Sequence, residues 1–524
     1  MTTTLTSRTG QTLQDSVGRH AADRPDHPAV VAGPTVIGYG ELHRRGGRTA
    51  TALAGAGIGP GSRVAHFGRD SELYYELLLG CARLGAVLVP IDWRLTGPEV
   101  DHVLRDSGSE LVFVEPRLTG VVAGIAAGLP RLRATVPLAE TEYARWRDTD
   151  HPAPDPGAVA ADRDTPVLQV YTSGTTGAPK GVVLAQRTFF AITGLLAEHG
   201  LDWIDWRVDD RSLVALPGFH IGGIWWLTQG LNAGITNVVL PVFDSERAVE
   251  LIRELGITTT CLVPAMLRLV VDEPGVTPAD FGSVRKVVYG GSPISEALLR
   301  RCLDMFNCEM VQIYGLTETG NTAVCLPPAE HRLDGTRLAA AGRPYPGVGL
   351  RVVDGDGADL PTGAIGQVLL RTPARMVEYW NQPEKTAATL VDGWIHTGDA
   401  GYLDDEGYLF IRDRINDTII VGGENVYPAE VENAISGHPA VVEAAVVGAP
   451  DPTWGERICA FVVLRAGQGL TAPELTAFLR ERLAQFKIPT SVEFVDTVPR
   501  TPSGKILRRA LRDRLWAGRQ RKVN

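Results

Sequence analysis

Cysteine is scarce, and the few cysteines follow no pattern. Cys81, Cys261, Cys302, Cys308, Cys325 and Cys459 form no CxxC pair and have no His at zinc spacing. That argues against a disulfide framework or a zinc module and suits a reducing compartment, the cytoplasm. Long apolar runs are missing too. The best candidate, Leu77 to Ile91, is interrupted by Arg83 and Gly85 and falls short of the ~20 residues a spanning helix needs. It predicts a helix, a turn and a buried strand. The start, MTTTLTSRTGQTLQDS, has no charged segment leading into an apolar one, so no secretory leader is expected. Positive charge is in deficit. A net charge of -10 counts against nucleic acid or an anionic membrane surface as the main partner. The local exception is the C-terminal run Arg508, Arg509, Arg512, Arg514, Arg519, Arg521, Lys522. Its expected role is a solvated helix and tail, the alternative being a phosphate-rich ligand nearby.

What remains is an ordinary globular composition on a long chain. Hydrophobic residues make up 44% and charged residues 21% of 524, more chain than one core organises. Up to about residue 400, short runs such as VLVPI, LQVYT, SLVALP, TNVVLP, TTTCLVP and KVVYGG alternate with helical patterns. The fold class expected is α/β, with layered sheets and helices in several subdomains. After Asp413 the pattern condenses into a small α+β unit: strand TIIV, a helix from Pro428, strands AAVVGA and ICAFVVL, a second helix, and strand VEFV. Thr471 and Glu474 form a capping box for that second helix, whose stripe is Leu475, Phe478, Leu479 and Leu483. Domains of residues 1–413 and 414–524 follow, divided at the polar stretch Asp413-Arg414-Ile415-Asn416-Asp417.

The segment most able to do chemistry is Tyr171-Thr-Ser-Gly-Thr-Thr-Gly-Ala-Pro-Lys180-Gly181, directly after a predicted strand. Thr172, Ser173, Gly174, Thr175 and Thr176 offer backbone N–H groups and hydroxyls to an anion, and Lys180 adds a point charge. It is not a Walker loop, because its Lys precedes Gly rather than Ser or Thr. Composition alone would also permit a plain turn. Two other patterns are rejected. Gly290-Gly291-Ser292-Pro293-Ile294 lacks the last Gly of a nucleophile elbow, and the run Gly55 to Gly61 joins a helix to a strand, the reverse of a dinucleotide fingerprint.

YTSGTTGAPKGV resembles the phosphate-binding signature of the adenylate-forming superfamily: acyl- and aryl-CoA synthetases, luciferases and nonribosomal adenylation domains. The resemblance continues in order through LPGFHIGG, YGGSPIS, QIYGLTETG, HTGD, DRINDTIIVGGENVYPAEVE and PRTPSGKILRR, spanning nearly the whole chain. It implies a large N-terminal domain and a small mobile C-terminal lid with the active site between them. It also implies ATP, Mg²⁺ and coenzyme A as reactants or cofactors, and a carboxylic acid as substrate. Residue by residue, Thr317 would touch the α-phosphate and Glu318 would hold Mg²⁺, as a hard carboxylate beside a triphosphate can. Asp399 would accept from the ribose hydroxyls, reinforced by Arg414. Gly290 and Gly291 would lie against the adenine, and Ser292 and Tyr314 would also belong to the ATP site. His220 would gate the acid pocket, although a His among apolar residues is also a common core side chain. Ile221, Trp225, Trp226, Gly315 and Leu316 are pocket walls or ordinary core. Lys505 would bridge the acid carboxylate and the α-phosphate.

For the acceptor, GGENVYPAEVE resembles the loop lining the pantetheine tunnel of CoA ligases, with Gly422, Gly423 and Glu424 in it and Gly423 keeping it narrow. Lys487 resembles a Lys near their active sites. Asn416 takes the hinge position, and Asp413 replaces a common Gly. The alternative acceptors are an amine or a separate carrier protein, or the activated group is not a carboxylate. Neither the acid nor the oligomeric state is legible in the residues.

Overall fold

The computed structural model describes residues 12–149, 161–172, 179–201, 203, 205–332, 335, 337–501 and 505–517. Within them the apolar runs become strands of four sheets. A nine-stranded sheet takes Arg211–Val214, Thr236–Val239, Thr259–Leu262, Lys286–Gly290 and Glu309–Tyr314 in parallel pairings, with antiparallel strands at both edges. A seven-stranded sheet is built on Arg63–Phe67, Val87–Ile91, Leu111–Val114 and Pro166–Thr172. Parallel strands buried on both faces need continuous apolar sequence, and Val87–Ile91 is buried at every position. The segment from Leu77 resolves as expected: helix Glu72–Leu84, Gly85 at φ 72, then that strand. A third, antiparallel sheet holds Gly349–Val353, Gly366–Arg371, Trp394–Leu403 and Leu409–Arg414.

The C-terminal unit follows the predicted element order with one strand added, Glu424–Val426, which pairs with the strand before it. Strands Ile419–Val421, Glu424–Val426, Val441–Asp451, Gly455–Leu464 and Ser491–Phe494 form its sheet, with helices Pro428–Ser436 and Ala472–Arg480. The Thr471–Glu474 capping box is present, and Leu475 and Leu479 are fully buried in a core separate from the body's. The last strand of the third sheet ends at Arg414 and the first of this unit begins at Ile419. The mixed α/β architecture, a large N-terminal part and a smaller C-terminal part, is as the sequence implied.

The basic run is more than a solvated tail. Arg508 and Arg512, on helix Arg508–Leu515, are largely buried against the connecting segment. Arg508 pairs with Glu432 at 2.6 Å, Asp413 at 3.4 Å and Asp417 at 3.7 Å. Arg512 donates to the Asn416 carbonyl oxygen at 3.3 Å. Arg509 and Arg514 do lie on the exposed side, paired with Asp513 and Glu493. Arg519, Arg521 and Lys522 lie outside the described residues.

Candidate active site

Thr172 ends one strand and Lys180 begins its antiparallel partner, the two facing each other in register. Ser173, Gly174, Thr175 and Thr176 lie between them, outside the described residues. The Lys180 ammonium sits 4.5 Å over the ring of Tyr379. Tyr379 in turn donates its O–H to Glu318 Oε1 at 2.6 Å. Glu318 lies in the single turn Thr317–Thr319, pinned by a bond from Met376 N–H to its carbonyl oxygen at 2.8 Å. Thr317 is buried beside it. Sequence reading missed Tyr379, which arrives on the two-residue edge strand Glu378–Tyr379 and belongs to no motif.

On the adjoining strand ends, Gly290 pairs with Ile313, and a side chain at 290 would run into the Ile313 carbonyl oxygen. Gly291 turns away at φ 80, a conformation glycine adopts freely, and Ser292 follows. Tyr314 then reaches across to the third sheet, donating its O–H to Asp399 Oδ2 at 2.6 Å. Arg414, in register with Asp399, holds Oδ1 at 2.8 Å and donates to the Thr397 carbonyl at 3.0 Å. Burial raises the Asp399 carboxyl above its usual range, and Arg414 and the Tyr314 hydroxyl act against that rise. Each carboxylate oxygen accepts about two hydrogen bonds, so Asp399 keeps capacity for further donors.

His220 stands at the N-terminal boundary of helix Ile221–Ala233. Burial and the nearby Lys505 and Arg94 push its imidazole down to about 4, so it is neutral near pH 7. Lys505 closes the cluster from the C-terminal unit. Its N–H donates to Thr501 Oγ1 at 3.1 Å and its carbonyl accepts from Thr501 N–H at 2.7 Å, across Pro502, Ser503 and Gly504, which lie outside the described residues. Burial and Arg414 lower the basicity of its ammonium, while Asp399 and Glu318 oppose the change. The body's carboxylates are thus its electrostatic neighbours. A further link between the two parts is Arg268, which donates to the Val442 carbonyl at 2.6 Å.

Ile221, Trp225 and Trp226 are all buried on the helix after His220. Trp226 packs at 5.2 Å against Trp206 with the two rings tilted, and its indole N–H has no hydrogen-bond partner among the described residues. Ile221 and Trp225, four residues apart, share one helix face. Gly315 and Leu316 lead into the Glu318 turn, and Gly315 is packed against Asn321 and Thr319.

The acceptor residues gather elsewhere. Gly422 and Gly423 turn a hairpin at φ 58 and 91, and the exposed Glu424 follows. Among the described residues nothing lies within 4 Å of where a Gly423 Cβ would be. In this arrangement the glycine is needed for its positive φ, and the expected crowding at 423 is not seen. Trp454 packs over Gly422 instead. Lys487 is engaged with Glu430 at 2.7 and 2.9 Å.

Among the described residues no group of three or more His, Cys, Asp or Glu could hold a metal ion. A lone carboxylate such as Glu318 fits Mg²⁺, which keeps waters and takes most of its ligands from substrate phosphates.

The chain matches the family model for AMP-binding enzymes over residues 17–380 and the model for the AMP-binding enzyme C-terminal domain over 430–505. It belongs to the AMP-binding enzyme family. The AMP-binding match makes it an adenylate-forming acid ligase, with ATP and a carboxylic acid as substrates. It is 58% identical to the fatty acid–[acyl-carrier-protein] ligase ScoC of Streptomyces coeruleorubidus, across 98% of both chains. It is 38% identical to the indoleacetate–CoA ligase of Aromatoleum aromaticum, over 94% of this chain and 96% of the relative. Its fold superposes on the anthranilate CoA ligase AuaEII in complex with anthranoyl-AMP, with a TM-score of 0.90 and 26% identity over 97% and 98% of the chains. The relatives therefore include both carrier-protein and CoA ligases. No helix among the described residues is long and apolar enough to cross a membrane.

Proposed function

We propose that this AMP-binding enzyme activates a fatty acid as its acyl-adenylate and transfers it to the thiol of a phosphopantetheine arm carried by an acyl-carrier protein. The observation behind the first step is the convergence of Lys505, from one domain, with Glu318, Asp399, Arg414 and His220, from the other. When a substrate carboxylate attacks the α-phosphate of ATP, two anions must meet. A cation bridging them relieves that repulsion and gains value as charge builds on the phosphoryl oxygens. In this reading Thr317 contacts the α-phosphate, and Asp399, fixed by Tyr314 and Arg414, accepts from the ribose hydroxyls. Gly290, Gly291 and Ser292 lie along the base, and the 172–180 segment cradles the triphosphate with Lys180. Glu318 would hold Mg²⁺, which supplies charge neutralisation to the triphosphate. The neutral His220 leaves the mouth of the acid pocket uncharged, with Ile221, Trp225, Trp226, Gly315 and Leu316 as walls.

The carrier-protein acceptor rests on the 58% identity to a fatty acid–[acyl-carrier-protein] ligase. A second reading, coenzyme A, is favoured by the GGENVYPAEVE loop and by CoA-ligase relatives such as the indoleacetate enzyme. Both acceptors present the same pantetheine thiol. In either case the C-terminal unit forms the lid, Asn416 is its pivot, and Gly422, Gly423, Glu424 and Lys487 meet the acceptor arm.

The test is pyrophosphate release across short, medium, long and aromatic acids, followed by thioester formation with CoA and with holo carrier protein. Acid-dependent release with faster transfer to the carrier is expected. Faster transfer to CoA would replace the acceptor assignment, and release independent of any acid would remove the first step.

A further inference from the structure

Beneath the turn that bears His220 lies a buried pair that none of these steps uses. Asp70 and Tyr74 flank the start of helix Glu72–Leu84, and both are buried. They grip Gly218 by its two backbone polar groups. Gly218 N–H donates to Asp70 Oδ2 at 2.7 Å, and the Tyr74 O–H donates to the Gly218 carbonyl oxygen at 2.7 Å. The approach is close: a Cβ on Gly218 would lie 2.6 Å from Asp70 Oδ1 and 2.9 Å from the Tyr74 ring. Tyr74 is itself held by packing, edge-on to His66 at 4.6 Å and to Tyr75 at 5.4 Å.

Those two bonds belong to consecutive peptide planes, so together they fix the dihedrals of Gly218. A glycine is the residue least able to fix its own. The turn continues at once into the gate: His220 N–H donates to the Pro217 carbonyl at 3.0 Å, and Gly223 and Ile224 N–H donate back to the His220 carbonyl. Whatever sets Gly218 therefore sets the backbone of His220 two residues on. Asp70 also carries a cost. Burial lifts its carboxyl to about 7, and the Gly218 N–H, not a cation, acts against that rise. A buried acid without a counter-charge is expensive, which points to a role beyond filling space.

We propose that Asp70 and Tyr74 are positioning residues for acid recognition, clamping Gly218 so that the His220 turn holds the mouth of the acid pocket at its working width. The proposal rests on the reading of His220 as the gate. It is tested on the full-length enzyme by acid-dependent pyrophosphate exchange, resolving the KM for acid, the KM for ATP and kcat. Tyr74→Phe and Asp70→Ala each remove one bond and should raise the acid KM roughly tenfold, with the ATP KM within about twofold. Asp70→Asn keeps an acceptor oxygen for Gly218 and should stay within about twofold of wild type. An unchanged acid KM in Tyr74→Phe overturns the proposal, even if Asp70→Ala does not fold. So does an Asp70→Asn variant as impaired as Asp70→Ala, or a loss of kcat and thermal stability with the acid KM intact. His220→Ala is the control. If it leaves the acid KM unchanged, the gate reading falls, and Tyr74→Phe alone then judges whether the clamp shapes the pocket.

Discussion

The body and the C-terminal unit hold their candidate functional residues in opposite ways. In the body, Tyr314, Asp399 and Arg414 form one chain of short bonds, Tyr379 and Glu318 another, and Asp399 is buried. In the C-terminal unit, Gly422, Gly423 and Glu424 occupy an exposed hairpin, Lys487 is tied to Glu430, and Lys505 is bonded through its backbone to Thr501. Low dielectric and fixed geometry make the body's polar contacts strong, as a site that stabilises developing charge requires. A surface hairpin would suit the proposed lid, which presents different groups in two half-reactions.

Four experiments would break or sharpen that contrast. The largest effect is expected from Lys505→Ala. Loss of one such electrostatic contact costs about 3–4 kcal/mol, a factor on the order of 10² to 10³. Acid-dependent pyrophosphate exchange should drop by that factor, while thioester formation from ready-made acyl-adenylate stays within a few-fold of wild type. Loss of both steps would show that Lys505 supports the C-terminal unit as a whole. Next is Asp399→Asn, which removes a charged acceptor from the buried body chain. Hydrogen bonds to charged groups are worth about 1.5–3 kcal/mol, so the KM for ATP should rise roughly 10- to 100-fold. An unchanged KM for ATP would detach Asp399 from nucleotide binding.

A smaller effect is expected at the junction. Asn416→Pro fixes one φ and should slow thioester formation on the order of tenfold, with pyrophosphate exchange nearly intact. Equal slowing of both steps would move the pivot away from Asn416. The last is read as a stability difference rather than a rate. The Asp70 carboxyl is raised from 3.8 to about 7 in the fold, so the folded state holds a proton that the unfolded chain releases above about pH 4. Stability from that proton is complete below the unfolded value and is lost as pH rises through the folded one. Thermal melts should therefore show wild type losing ground to Asp70→Asn from about pH 4 to 7, then a constant gap. A gap independent of pH would mean that Asp70 titrates alike in the folded and unfolded chain.

Legibility differed between parts for physical reasons. The strands Lys286–Gly290 and Val87–Ile91 and the helix Ala472–Arg480 were readable because apolar runs, a positive-φ glycine and a capping box act locally. Glu318, Asp399, Arg414 and Lys505 could be named as candidates because each sits in a recognisable motif, although nothing local shows that they meet. Tyr379, Asp70 and Tyr74 were missed. Their partners lie on other elements, and a lone Tyr or Asp beside an apolar helix carries no signal of what it will touch. Arg508 and Arg512 were read as solvated because charge patterning does not reveal the acidic groups, Asp413, Asp417 and Glu432, that surround them.

By itself the sequence determined the element types, the two-part organisation and the motifs of an adenylate-forming ligase, since these depend on periodicity and on residues close along the chain. Tertiary structure alone decided which charges are buried together and that Lys505 comes within electrostatic range of Asp399 and Glu318. It also decided that a glycine two residues before His220 is clamped from a distant helix. Burial and proximity across sheets set these energies, and both are properties of packing rather than of residue order.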